Sequence, residues 1–415
     1  MAVPPRARRR RGGAHRGPRI GLALAGGGPV GGVYEIAALC ALQDALEGVD
    51  FSELDIYVGV SSGAFIASML ANGFSPAELR EILVETASSE HAVSPGVFLS
   101  PAVGEITRRA ASLPRLAVET IWQRARDPFG KEAGKSLSRV GRAIPTGFLD
   151  NARMGQFLEQ AFHAHGRSND FRELRHELRL VATDLDTGEA VNFGEPGFDR
   201  VPISLAVQAS AALPVLYPPV RIGSRYYVDG ALRKTLHASV ALREGAKLVF
   251  CVNPLIPYDS SLAASHGQPR HEKLVAGGLP AVLSQTFRAL IYSRMQVGMA
   301  GYAKQYRGAD VLLFQPRRDD AEMFFTNVFS YANRHRVFRH AYQSTIRDIR
   351  ARRKELAPKL ARHGIAIRAA ALRGDAAPAP HHARTSFLTL AGALDRLERW
   401  VGRAGRRSAK RRQLQ

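Results

Sequence analysis

The sequence predicts an α/β fold in which a central, mostly parallel sheet is flanked by helices. Two early segments, residues 19–46 and 54–71, carry this prediction, because each contains a buried apolar strand, a glycine-rich turn and an apolar helix. Strands that alternate with helices in this way are typical of parallel sheets. With 415 residues, of which 45% are hydrophobic, the chain is long enough for one large domain with extensions.

The remaining elements follow from local patterns. Ser75 followed by Pro76 predicts the start of a helix, since serine caps helix N-termini and proline is tolerated in the first turn. Further helices are expected at residues 33–46, 154–162, 279–306 and 333–372, and strands at residues 178–182, 190–193, 226–228, 248–252 and 310–316. The two cysteines, Cys40 and Cys251, lie in apolar runs and are interpreted as buried thiols, so neither a disulfide nor a metal site is expected.

The turn of the second early segment presents a serine. Ser61 is the centre of a Gly-x-Ser-x-Gly pentapeptide bounded by Gly59 and Gly63. A serine on such a turn is held in a strained conformation with its hydroxyl exposed above the sheet, beside the N-terminus of the next helix. Taken alone, the pentapeptide also fits a plain glycine-rich turn. Its position between strand and helix favours a role for Ser61 as a nucleophile.

A glycine loop follows the first strand. Gly26, Gly28 and Gly31 match the Gly-x-Gly-x-x-Gly pattern of dinucleotide-binding turns, so a dinucleotide-dependent enzyme is one alternative. However, an exposed serine follows within the same strand-helix-strand unit, which a pyrophosphate site does not need. We therefore expect the N–H groups of Gly26, Gly27 and Gly28 to form an oxyanion hole for an intermediate on Ser61.

The candidate base is an aspartate, because the histidines lie in unpromising places. Most histidines fall in tails, polar helical stretches or loops, and His237 alone is near a turn of interest. Asp229 ends an aromatic and β-branched run and is followed by Gly230 and Ala231. This pattern predicts a carboxylate at the end of a strand, although an isolated Asp-Gly is more often a surface turn.

These three motifs, in this order, resemble those of the patatin-like phospholipases, a family of acyl hydrolases with a Ser-Asp dyad. Residues 26–31 resemble the oxyanion loop, residues 59–63 the nucleophile elbow and residues 229–231 the catalytic Asp-Gly-Gly or Asp-Gly-Ala. Two further stretches, 181–189 and 207–214, also agree. The resemblance spans about residues 19–255. It implies a three-layer patatin-like fold, a Ser61-Asp229 dyad without cofactor or metal, and phospholipids or related lipid esters as substrates.

One position departs from the family pattern. Members usually have arginine or lysine before the last glycine of the oxyanion loop, where this chain has Val30. An oxyanion would then be held by backbone N–H groups alone, and the loss of one such donor typically costs about a hundred- to a thousandfold in rate. The alternative hypothesis is therefore a weakly active or inactive patatin-like module that associates with membranes.

The predicted domain organisation has a core and several extensions. We expect a disordered basic tail at residues 1–18, a patatin-like domain at 19–330 with a helical cap or insertion at 92–144, a helical extension at 331–372, a linker at 373–385, and an amphipathic helix with a basic tail at 386–415.

The net charge of +21 is concentrated near the two ends of the chain. Seven arginines lie in residues 1–19 and seven lysines or arginines in residues 399–412. Such tails attract an anionic membrane surface at about 1 kcal/mol per cation, attract nucleic acid only nonspecifically, or remain solvated and disordered. Because the implied substrate is a lipid, attraction to a membrane surface is favoured among these three roles of the tails. With neither a signal-peptide pattern nor an apolar run of about twenty residues, we expect a cytoplasmic protein that can associate peripherally with membranes.

Overall fold

The computed structural model describes residues 18–85, 97–111 with gaps at 99, 106, 108 and 110, 144–267 except 165, 274–326 and 333–373. The predicted terminal tails, linker, last helix and helical cap fall almost entirely outside these residues.

The described strands are numbered β1 to β12 in chain order. They are β1 Ile20–Leu24, β2 Leu46–Glu47, β3 Ile56–Gly59, β4 Ser100–Pro101, β5 Leu149–Asp150, β6 Glu177–Asp184, β7 Ala190–Phe193, β8 Val220–Ile222, β9 Arg225–Asp229, β10 Leu248–Val252, β11 Asp310–Phe314 and β12 Ala366–Ile367.

The α-helices are numbered in the same way. They are α1 Gly28–Ala45, α2 Ser62–Ala71, α3 Pro76–Arg80, α4 Ala152–Phe162, α5 Ile203–Ser210, α6 Ala238–Arg243, α7 Ser260–Ser265, α8 Gly278–Gln305, α9 Ala321–Phe325, α10 Arg334–Ala351 and α11 Arg353–Ala361.

Eight strands form the main sheet of the described residues, in the order β11-β10-β1-β3-β6-β9-β8, with β7 paired to β6. The strands from β11 to β6 run parallel, whereas β7, β8 and β9 pair antiparallel with their neighbours. The predicted central, mostly parallel sheet is therefore confirmed. Because β1 and β3 are parallel neighbours, their carboxyl ends lie side by side, with Leu24 opposite Gly59.

The sheet is covered on both faces, which gives the predicted three layers. Alternate residues of β1 point to opposite faces. Leu22 and Leu24 belong to a large apolar core shared with α1, α2 and α10. Ala23 and Ala25 belong to a second core shared with α6 and α8. These small side chains let the second helical layer approach the sheet closely.

The C-terminal extension differs from the single predicted helix. Its residues form α10, α11 and β12, and β12 pairs antiparallel with β2. The buried face of α10 packs against α1, and the Tyr342 hydroxyl donates a hydrogen bond to Asp44 at 2.8 Å. The chain is turned back after α11 at Gly364, which adopts a φ of 74°.

Helix α8 corrects the expectation that no segment is apolar enough to cross a membrane. Within the described residues, Leu274–Tyr302 meets that requirement by length and composition, with a mean hydropathy of 1.4 over its most apolar window. Only 11% of this window is buried. Polar residues such as Gln285 and Arg288 interrupt its apolar run. For this reason the sequence did not indicate a segment of this overall hydropathy. Length and apolar composition alone do not distinguish a membrane span from other apolar helices.

Candidate active site

A cavity of about 460 Å³ opens at the carboxyl ends of β1 and β3. We call its inner side the floor, formed by residues 26–28 after β1 and residues 61–63 at the start of α2. We call its opposite side the outer wall, formed by α8. The lining is mainly apolar, and both Ser61 and Asp229 reach it. An apolar cavity with a few polar groups at one end suits a ligand with long hydrocarbon chains.

Strand pairing explains how Asp229 reaches the serine turn. A strand has two edges, and β7 occupies one edge of β6 over residues 180–183. Strand β9 pairs with residues 182–184, so it uses the other edge, which β3 occupies over residues 177–180. Asp229 lies opposite Ala182, directly beyond the end of β3. The predicted nucleophile and base therefore emerge at the same point of the sheet.

Ser61 has the strained backbone predicted for this turn, but the residue is only 9% exposed and faces the cavity instead of open solvent. Its φ is 54° and its ψ is −121°, which few residues other than glycine adopt. The strain is maintained by close packing on both sides of the turn. A Cβ on Gly63 would lie 2.6 Å from the carbonyl oxygens of Leu24 and Ala25, and one on Gly59 would lie 2.4 Å from that of Gly63. Neither position leaves room for a side chain.

Ser210 supports the turn and was not singled out by sequence reasoning. The Ser61 N–H donates to the Ser210 Oγ at 3.0 Å, and the Ser210 hydroxyl donates to the Val181 carbonyl at 2.6 Å. Ser210 thus links the strained turn to β6. The signal was present in the stretch 207–214, which matched the family pattern without an assigned role.

The glycine loop contributes backbone donors to the floor. Gly26, Gly27 and Gly28 all line the cavity, and α1 begins at Gly28, earlier than predicted. Within the described residues, the hydrogen bonds leave the N–H groups of these three glycines without a protein acceptor. Gly26 is also close to Ser61, since a Cβ there would lie 3.1 Å from the Ser61 Cβ. The helix N-terminus adds a partial positive charge at the same place.

The departure at Val30 is an apolar substitution in the packed part of the loop. Its side chain is buried in the main core. Gly31 packs behind it, with Pro254 at 3.1 Å from where its Cβ would lie. No cation takes the place of the usual arginine or lysine at this position.

The environment of Asp229 favours a carboxyl group that titrates near neutrality. Burial raises the pKa of Asp229 to about 6, against the opposing effects of the Ala231 N–H and the Ser61 hydroxyl. The Ala231 N–H donates to its Oδ1 at 2.8 Å. Gly230 allows this arrangement, because a Cβ there would lie 2.3 Å from the Val181 carbonyl oxygen. A partly neutral carboxyl beside a serine can exchange a proton with it.

Other titratable groups near the floor do not share this chemistry. Burial lowers the pKa of His237 to about 3, and the residue is absent from the cavity lining. Glu35 is fully buried behind the serine turn, and burial holds its pKa well above its usual range. In the part of the chain that the structure describes, no group of three or more His, Cys, Asp or Glu could hold a metal ion.

A family model described as patatin-like phospholipase matches residues 22–242, which is more than half of the chain. The chain belongs to the patatin-like phospholipase family. The match covers the glycine loop, the serine turn and Asp229 of this patatin-like protein.

Solved structures offer a more distant comparison. VipD from Legionella pneumophila is 16% identical, with a TM-score of 0.35 over 80% of this chain and 66% of VipD. ExoU, in its complex with SpcU from the type III secretion system of Pseudomonas aeruginosa, is 16% identical, with a TM-score of 0.25 over 68% of this chain and 52% of ExoU. The patatin-like protein thus spans about half to two thirds of these proteins, and likeness at this level carries no argument about substrate or partner.

Proposed function

We propose that this protein is a serine acyl hydrolase that cleaves ester-linked acyl chains of phospholipids or related lipids through Ser61 and Asp229. The Ser61 Oγ attacks the ester carbonyl carbon while its proton passes to the Asp229 carboxylate. The N–H groups of Gly26, Gly27 and Gly28 receive the negative charge that develops on the carbonyl oxygen.

The cycle closes without a cofactor. Collapse of the tetrahedral intermediate breaks the ester C–O bond, and the proton on Asp229 passes to the departing alcohol. Water then attacks the acyl-enzyme, gives its proton to Asp229 and releases the fatty acid as Ser61 recovers its hydrogen. The same carboxyl therefore acts as base and acid in both halves.

One observation carries the proposal above the others. A serine in a strained φ of 54° shares an apolar cavity with a buried carboxyl whose pKa is raised to about 6. An ordinary aspartate, with a pKa near 4, is a weak base toward a hydroxyl. Burial brings the Asp229 pKa closer to the working pH and so strengthens its basicity.

The test is ester hydrolysis by the purified full chain, with Ser61→Ala and Asp229→Asn as variants. Each is expected to lower kcat by at least about a thousandfold, because the nucleophile or its base is lost. Ser261→Ala is the matched control, since Ser261 is exposed and absent from the cavity lining. Full activity of either dyad variant would remove that residue from the mechanism.

We also infer that the protein works at an anionic membrane surface. The mouth of the cavity has an apolar rim, which we define as Phe148, Val215, Leu279 and Leu283. These side chains are exposed by 52%, 65%, 70% and 57%. Val215 and Leu283 line the cavity itself, and the Phe148 N–H donates to the Val215 carbonyl. An exposed apolar rim around a lipid-binding mouth can enter a bilayer surface, to which the basic tails add electrostatic attraction.

A weakly active or inactive membrane module is the second candidate, and Val30 is the observation that favours it. Turnover below detection with lipid esters of short and long chains, together with binding of the protein to anionic vesicles, would support this candidate. A Val30→Arg variant that gains activity would attribute the weakness to the missing cation. Vesicle binding that added nucleic acid cannot displace would separate membrane attachment from nonspecific attraction of the tails.

A further inference from the structure

The outer wall of the cavity contains a buried cation. Pro280, Ser284 and Arg288 follow one another at four-residue spacing on α8, and all three line the cavity. This spacing places them on one face of the helix. Arg288 is only 4% exposed, although most of α8 is exposed. The Arg288 side chain therefore points into the cavity, on a helix whose solvent-exposed side is largely apolar.

The guanidinium of Arg288 is held in place without a counter-ion in the described residues. Its Nε–H donates to the Ser284 Oγ at 3.4 Å and its Nη1–H to the Ile256 carbonyl at 3.3 Å. Its Cζ lies 5.1 Å from the centre of the Phe324 ring. These contacts fix the plane of the group but carry no negative charge. Arginine has five N–H donors, so several remain available.

A charge in this position is costly unless an anion joins it. Burial lowers the pKa of Arg288 to about 10, so the group is still protonated at neutral pH. A buried charge is normally paired, because desolvation penalises it. Among the described lining residues the one acid is Asp229, which forms no ion pair with Arg288.

The chemistry of the cavity indicates which anion would fit. Apolar side chains such as Phe65, Ile66 and Phe287 line the space shared by Ser61 and Arg288 and suit acyl chains. The missing partner is an oxyanion carried by the same ligand. A guanidinium binds phosphate through two parallel hydrogen bonds, which a lysine cannot reproduce.

We propose that Arg288 binds the phosphate group of the substrate while the scissile ester reaches Ser61. The inference deepens the proposed hydrolase function, on which it rests, by selecting phospholipids over neutral glycerides. The phosphate would supply the negative charge that the outer wall lacks. Arg288 is then a specificity-determining residue that takes no part in bond cleavage.

The first arm of the test compares two substrates with the same acyl chains, a phosphatidylcholine and a diacylglycerol, in the same neutral detergent micelles. For Arg288→Gln, the ratio of kcat/KM for the phospholipid to that for the diacylglycerol is expected to fall at least tenfold. Arg288→Lys should fall less, since it keeps the charge. Arg294→Gln, at an exposed arginine on the same helix, is the matched control. A parallel loss on both substrates would indicate a structural role and overturn the proposal.

The second arm measures binding, so that it reports on Arg288 even if no ester is cleaved. Ser61→Ala protein, with and without Arg288→Gln, is titrated with dihexanoyl phosphatidylcholine, dihexanoylglycerol and inorganic phosphate by calorimetry. We expect the phospholipid to bind more tightly than the glyceride, and Arg288→Gln to remove that difference. Equal affinity for both lipids in the Ser61→Ala protein would overturn the proposal. So would inorganic phosphate binding as tightly as the phospholipid, because the site would then serve a free anion.

The two experiments distinguish failure of the proposed hydrolase function from failure of the proposed phosphate site at Arg288. Absence of turnover on every ester would reject the hydrolase function, while the calorimetric difference between the two lipids would still support Arg288 as a phosphate ligand. Normal turnover with an unchanged substrate ratio in Arg288→Gln would reject the phosphate subsite alone.

Discussion

The floor and the outer wall of the cavity are built in contrasting ways. The floor consists of main-chain groups fixed at the ends of β1 and β3, where a carbon atom added at Gly63 would meet two carbonyl oxygens at 2.6 Å. The outer wall is one long helix with much of its surface exposed. The comparison teaches that Ser61 and Asp229, the proposed reacting groups, are positioned by the core of the sheet. The proposed substrate contacts lie instead on a helix that packs on the sheet through Met295 and Tyr302 and leaves much of its remaining surface exposed.

Matched glycine substitutions on the two sides should give the largest contrast. Gly63→Ala is expected to lower kcat by more than about a hundredfold and to lower the free energy of unfolding by at least about 1–3 kcal/mol, because the backbone of the floor must shift. A Cβ at Gly301 of α8 meets nothing within 4 Å. Gly301→Ala should keep activity and gain up to about 1 kcal/mol from better helix propensity. Thermal unfolding and ester turnover measure both, and equal effects would abolish the contrast.

The pH dependence tests the floor through Asp229. Since burial raises its pKa to about 6, kcat/KM should fall about tenfold per pH unit below that value, as the base becomes protonated. The same shift favours the neutral form in the folded state. The stabilisation of the folded state by protonated Asp229 is complete below pH about 4 and is lost as the pH rises through about 6. Asp229→Asn should thus be inactive yet more stable at pH 7, by at most about 3 kcal/mol. A less stable variant would contradict the assignment.

The apolar rim tests the outer wall. Leu283→Ser removes an exposed side chain at the mouth and should lower hydrolysis of anionic phospholipid vesicles about tenfold, because burial of one leucine in lipid contributes roughly 1.5–3 kcal/mol. Hydrolysis of a soluble short-chain ester should fall much less. Val297→Ser is the control, since Val297 is 74% exposed on the same helix but absent from the cavity lining. Equal losses on vesicles and soluble ester would place the effect of Leu283 in the cavity instead of at the membrane.

Glu35 offers the smallest expected effect. Burial holds its pKa well above the usual range, and Glu35→Gln removes the ionisable group while it keeps the size and polarity of the side chain. We expect turnover within about threefold of the wild type, since Glu35 is absent from the cavity lining. Wild-type stability relative to this variant should decline as the pH rises, because ionisation of the buried acid is unfavourable. A large loss of turnover would give Glu35 a role in the reaction.

The sequence was sufficient to predict which residues form the floor of the cavity, but not which residues form its outer wall. That the glycine loop, Ser61 and Asp229 lie together at one cavity could be predicted, because strained turns and strand ends demand particular residues at fixed spacing, while their catalytic roles are our proposal. The role of Ser210 required the fold, since 149 positions separate it from the N–H that it accepts. The inward orientation of Arg288 was equally hidden. A single arginine in a helix of mixed pattern carries no local signal of burial, which depends on what packs around α8.

Strand bounds were also better predicted than the C-terminal extension. The strand at residues 248–252 was located without error, because a fully apolar run has few alternatives. The extension was expected to be one helix, and the break between α10 and α11 was missed. Arg352 at that break is a good helix former, so no local signal marks the break, where its Nη1–H donates to the carbonyl of the distant Leu313.

The contact between α10 and α1 has a practical consequence for anyone who shortens this gene. The family match ends at residue 242, yet the helix that begins with the glycine loop leans on residues 334–351. A truncated product that stops at residue 242 would expose an apolar side of that helix to solvent. It would then precipitate or lose the geometry of the glycine loop. Expression boundaries for this protein belong after residue 373.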